Sequence, residues 1–128
     1  TLTSEEERMS ESLFVRLGET DGIRAIVEDV MAAHLRNPHI KTRYEAIDDL
    51  EHAKKMAAEF FAAGSGGPDP YTGRDMLTTH KGMNVSEQEF IAVVDDILWA
   101  LEKHGRSDET KNDVLAILYS LKDEIIRV

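Results

Sequence analysis

The sequence predicts an all-α domain, and three observations carry that prediction. Apolar residues recur every three to four positions along most of the chain. Residues that cap or stop helices bound these stretches. The two β-branched runs that compete as strands, 91–97 and 125–128, lack alternating polarity and sit inside longer helical patterns.

Taken in order, Ser10 is placed to cap a short first helix through Phe14, Val15 and Leu17, and Gly18 ends it because glycine tolerates the left-handed conformation. Thr20 or Asp21 then caps a longer helix, in which Ile23, Ile26, Val27, Val30, Met31 and His34 form one stripe until Asn37-Pro38 stops it. Residues 38–47 are mixed and read as a short irregular connection. Asp48-Asp49 offer capping carboxylates for the clearest amphipathic face, made of Leu50, Ala53, Met56, Ala57, Phe60 and Phe61. The run Gly64-Ser65-Gly66-Gly67-Pro68 and then Pro70-Tyr71-Thr72-Gly73 cannot continue a helix, so a loop long enough to suspect function lies here. A short helix follows with Met76, Leu77 and His80, closed by Gly82. Ser86 and Glu89 form a capping box ahead of Phe90, Val93, Val94, Ile97, Leu98 and Leu101, and Gly105 ends that helix. Ser107 or Asp108 opens the last helix, whose stripe runs Val114, Ile117, Leu118, Leu121 and Ile125.

A chain of 128 residues fits one domain, because single hydrophobic cores are typically built from ~100–150 residues. We read residues 1–10 as an acidic, flexible leader and 11–128 as the folded domain. The formal net charge of −10 repels a phosphate backbone, and no Lys/Arg cluster with interleaved aromatics offsets it, which argues against nucleic acid as a partner. With no cysteine there is no disulfide framework and no thiolate nucleophile. No apolar run approaches the ~18 residues of a membrane span, so no membrane partner and a cytoplasmic location are expected.

Of the five histidines, His104 in the last turn of its helix is expected to meet the helix dipole, and His39 lies in a polar connection. His34 and His52 are read as solvated or peripheral. Asp48 and His52 stand at i and i+4, but the further ligands that a divalent metal needs are not evident. His80 differs, since it shares a helix face with Met76, follows the Gly/Pro-rich loop and precedes Gly82. Periodicity by itself still favours a core histidine here.

The segment Gly66-Gly67-Pro68-Asp69-Pro70-Tyr71-Thr72-Gly73, followed by His80-Lys81-Gly82, resembles the loop and proximal-histidine region of the group I truncated haemoglobins. The likeness extends from Ser12-Leu13-Phe14 and Arg16-Leu17-Gly18, through Phe60-Phe61, to Phe90 and the last two helices. It implies a truncated globin, a two-over-two helical sandwich around haem b, with His80 as the proximal ligand to iron. The same resemblance implies that Tyr44, Phe60, Phe61, Met76, His80, Val85 and Phe90 contact the cofactor. An imidazole is a suitable iron ligand, and iron in such a site requires apolar surroundings.

On the distal side the sequence departs from the family, which places a Tyr late in the second helix and polar residues on the distal helix. Met31, Ala53 and Ala57 stand at those positions, and Met56 matches a position where some members carry a histidine that binds iron as sixth ligand. The distal pocket is therefore expected to be apolar, lined by Met31, Ala53, Met56 and Ala57. Bound dioxygen carries partial negative charge, and a buried hydrogen bond to it is worth ~1–3 kcal/mol, so oxygen should be held weakly. The expected function is binding of a diatomic gas, O2, CO or NO, with a reductase as an implied partner. NO dioxygenase or peroxidase-like chemistry would be a side activity, and no distal acid or base supports it. Two alternatives stand beside this reading: an electron-transfer or redox-sensing protein with His80 and Met56 on the iron, and a haem-free helical interaction domain.

Overall fold

The computed structural model describes residues 11–128. The acidic leader, Ser10 included, lies outside the described residues, and the cap of the first helix is Ser12 rather than the expected Ser10. The helices are α1 (Leu13–Arg16), α2 (Glu19–Arg36), α3 (Lys41–Glu45), α4 (Leu50–Gly64), α5 (Met76–His80), α6 (Glu87–Lys103) and α7 (Asp108–Ser120), followed by a 3-10 turn at Lys122–Glu124. No named strand occurs among the described residues, in agreement with the predicted fold class.

Side-chain caps open most of the helices, each satisfying a backbone N–H that has no partner within its helix. Ser12 caps α1, Asp49 caps α4, Asp75 caps α5, and Ser107 caps α7. The expected capping box of Ser86 and Glu89 opens α6. At α2 neither Thr20 nor Asp21 is the cap; left-handed Gly18 (φ +96°) turns the chain directly into Glu19, and the acidic Glu19 and Asp21 fall in the first turn, where the helix dipole favours them.

The core is shared by α1, α2, α6 and α7. Phe14 and Leu17 meet Ile23, Ile26, Val27 and Val30, which pack against Phe90, Val94, Ile97, Ala100 and Leu101, with Val114 and Leu118 closing the cluster. Helix α2 packs on both α4 and α6, and α6 packs on α7, giving two helix pairs laid across one another. Gly67 is needed for its size: a Cβ there would come within 2.7 Å of the Ala62 carbonyl and 2.8 Å of the Phe14 ring, so the loop after α4 could not lie against α1 with a larger residue.

Two expectations are corrected. The connection 38–47 contains α3, a five-residue helix that buries no side chain fully, so it leaves no apolar stripe to read. The final stripe is not one helix: α7 stops at Ser120, the chain turns through the 3-10 segment, and Ile126 forms an isolated parallel bridge with Val85.

Candidate functional site

The short α5 places His80 one turn after Met76, and the His80 Nδ1 lies 2.8 Å from the Met76 carbonyl oxygen. A carbonyl only accepts, so Nδ1 carries the proton and donates it. The ring is thereby oriented, with Nε2 the nitrogen left outside that bond, the atom through which an imidazole so held can ligate a metal. His80 and Met76 are both half-buried.

Helix α4 supplies a wall. Ala53, Met56, Ala57, Phe60 and Phe61 recur at i, i+3, i+4, i+7 and i+8 and so share a face. None of them is fully buried, and α4 as a whole has no buried residue, although its face is apolar. Ala57 and Phe61 lean on the core, whereas Phe60 meets the edge of Phe61 at 6.4 Å and of Tyr71 at 5.2 Å. Met31, Val85 and Phe90 are buried, and Phe90 meets Tyr119 edge-on at 5.8 Å.

Tyr44, carried by the unforeseen α3, is half-buried and stacks on His34 with ring centroids 4.5 Å apart. Desolvation, helped by the negative charge of Asp96, pushes its hydroxyl up to about 12, so it stays protonated. Its neighbour Arg43 pairs with Glu89 and donates to the Met83 carbonyl at 3.1 Å. That guanidinium ties α3 to the start of α6 and to the turn behind His80, and it holds the Glu89 carboxyl down to about 2.

His34 corrects the sequence reading. It is 3% exposed rather than solvated, with Nδ1 2.7 Å from Asp96 Oδ2, and Asn37 Nδ2 lies 3.2 Å from both oxygens of that carboxylate. Burial lowers its pKa against the opposing pull of Asp96. Its place on the α2 stripe was a signal for burial; its partner on α6 was not legible from spacing. His104 ends α6 as expected but also meets Asp29 at 2.6 Å; Lys103 first and His104 second hold the Asp29 carboxyl below its ordinary value. His52 is exposed at the start of α4, and among the described residues no group of three or more His, Cys, Asp or Glu is arranged to hold a metal ion.

A groove of about 620 Å³ between α2 and α4 is lined by Arg24, Glu28, Lys54 and Ala58 among others. It contains none of the predicted cofactor-contacting residues and is a separate feature. No helix among the described residues is long and apolar enough to cross a membrane.

The family model for bacterial-like globins matches residues 12–127, nearly the whole described chain. The chain belongs to the bacterial-like globin family. Among its relatives, this globin is 29% identical over 114 residues to the group 1 truncated hemoglobin GlbN of Mycolicibacterium paratuberculosis, covering 89% of this chain and 83% of that one. It is 23% identical over 116 residues to the group 1 truncated hemoglobin of Tetrahymena pyriformis, covering 91% and 95%. The crystal structure of the truncated hemoglobin from Tetrahymena pyriformis in its Fe(III) form superposes with a TM-score of 0.88, covering 92% of this chain and 100% of that one. The group II truncated hemoglobin from Bacillus anthracis, at 17% identity and 92% coverage of each chain, gives 0.81. The globin is thus of the group I truncated kind with the two-over-two fold, and haem is its cofactor. The residues present fit that group: one imidazole oriented through its Nδ1, and an apolar helix face that the protein leaves half-covered.

Proposed function

We propose that this globin ligates haem b through His80 Nε2 and binds a diatomic gas on the opposite side of the iron, next to Met31, Ala53, Met56 and Ala57. The observation that carries the reading is the hydrogen bond from His80 Nδ1 to the Met76 carbonyl, which orients the ring and leaves Nε2 outside that bond. Tyr44, Phe60, Phe61, Met76, Val85 and Phe90 are the apolar surfaces assigned to the porphyrin, and the half-buried state of most of them supports that assignment. The four distal side chains offer no N–H or O–H, so the pocket suits CO, NO or weakly held oxygen. An electron donor of the reductase class would be the partner that keeps haem held by His80 in its reduced, gas-binding form.

The test is the absorption spectrum of the haem-loaded protein in ferric, ferrous and ferrous-CO forms. A five-coordinate ferrous spectrum that converts promptly with CO is expected. If His80→Ala takes up haem with an unchanged spectrum, the ligand assignment is wrong. A second reading rests on Met56, half-buried on the same face of α4 as Ala53 and Ala57. A six-coordinate low-spin ferrous spectrum that Met56→Ala abolishes would assign its thioether as an internal sixth ligand and favour electron transfer or redox sensing.

A further inference from the structure

The residues just after His80 are held from the far end of the chain. The His80 carbonyl accepts from Met83 N at 3.0 Å, closing a turn. Gly82 N donates to the Val128 carbonyl at 3.1 Å, and Arg127 N donates to the Val85 carbonyl at 2.9 Å. Arg127 Nη1 reaches Asn84 Oδ1 at 3.2 Å, and Val85 pairs with Ile126 in a parallel bridge. Side chain and backbone therefore fasten the segment 125–128 to the turn 82–85 at several points.

The backbone there is also unusual. Gly82 (φ +89°), Asn84 (φ +50°) and Arg127 (φ +58°) are all left-handed, and Asn84 and Arg127 are two of the three non-glycine residues with positive φ among the described residues. A left-handed Arg is disfavoured and persists only where surrounding contacts over-determine it. Rotation about its N–Cα bond to the ordinary region would redirect Val128, whose carbonyl accepts from Gly82 N. Helix α5 is itself short, without a fully buried residue, and packs on the 3-10 turn that leads into this segment.

We propose that the segment 125–128 is a strap that positions His80, with Arg127 as the positioning residue acting through Asn84 and Val85. The strap sets where α5 ends, and so the height and tilt of the imidazole whose Nδ1 is bound to Met76. This inference rests on His80 being the iron ligand. It adds that the strength of that ligation is controlled from the opposite end of the sequence.

The experiment compares Arg127→Pro, which has neither the N–H nor access to positive φ, with Arg127→Gly, which keeps both and loses only the side chain. The readouts are the iron–histidine stretching band of the ferrous protein and the rate of haem transfer to an apoglobin acceptor. Arg127→Pro is expected to shift and broaden the band and to release haem about tenfold faster, equivalent to ~1.4 kcal/mol; Arg127→Gly, which keeps the backbone bond and loses only the Asn84 contact, should move both readouts in the same direction by less. An unmoved band and unchanged release in Arg127→Pro would overturn the strap. Absence of any such band in the wild-type protein would instead overturn the His80 assignment. If Arg127→Pro does not fold, amide exchange in the wild-type protein decides: protection of the Gly82 and Arg127 N–H groups supports the strap, and exchange at the free rate overturns it.

Discussion

Helix α6 and helix α4 have similar lengths and equally clear apolar stripes, yet they end in different environments. Along α6, six residues from Phe90 to Leu101 are buried, facing α2 and α7; along α4 none is, although Ala53, Met56, Ala57, Phe60 and Phe61 share one face. Protein side chains supply the whole core around α6. Around α4 they supply only part of it, since no residue of that helix is fully buried. On the proposed reading, an apolar face that the chain folds but does not finish is where a flat apolar cofactor would complete the packing. The same amphipathic pattern thus makes a finished core in one place and a half-covered face in another, which the proposed function assigns to the cofactor.

If this contrast is right, truncations in the two regions should fail differently. Leu101→Ala, at a residue 1% exposed, should cost about 2–5 kcal/mol of folding stability with or without haem. Phe60→Ala should cost the haem-free chain much less, since its ring is half-buried and meets mainly Tyr71 and Phe61, but should speed haem release clearly. Denaturation of both forms, paired with haem-transfer rates, separates the two. Equal losses for both variants in the haem-free protein would break the comparison.

A smaller effect is expected in the distal pocket. Met31 is 5% exposed, and its position on the α2 stripe is the one the family resemblance gives to a tyrosine. Met31→Tyr adds an O–H to a pocket whose assigned residues have none. Oxygen dissociation should slow by about tenfold, as ~1.4 kcal/mol of hydrogen bonding predicts, with CO affected less. An unchanged oxygen rate would mean that Met31 does not face bound ligand.

How legible all this was depends on the range of the interactions. Local signals read well: the Ser86 and Glu89 capping box, the loop at Gly66-Gly67 and the α6 stripe are set by neighbours in sequence, and the structure has them as expected. Helix α3 was missed because five residues with no buried side chain carry no periodicity. The His34–Asp96 contact was missed because its partners lie 62 residues apart and meet only through the packing of α2 on α6. For the site, His80 owed its prominence to the family motif more than to spacing, and nothing local announced the Val85–Ile126 bridge behind it.

The two polar pairs at the boundary between these regions give the finest test, through pH. His34 titrates below its ordinary value because burial outweighs Asp96, so the unfolded chain takes up its proton first as pH falls. Its contribution is complete above the unfolded value near 6.5 and declines below it, by at most about 1.4 kcal/mol per pH unit. Glu89 is held down to about 2 by Arg43, so its contribution is intact above the unfolded value near 4.5 and is lost as pH falls towards 2. The pair is partly exposed and solvent screens it, so Glu89→Gln should cost only ~1 kcal/mol at neutral pH and flatten the stability curve below 4.5. His34→Gln should flatten it just below 6.5 while leaving the acid limb in place. Arg43 links α3, α6 and the turn behind His80. Glu89→Gln should therefore also loosen haem retention as pH falls, whereas a change confined to folding stability would show that the ion pair serves the finished core alone.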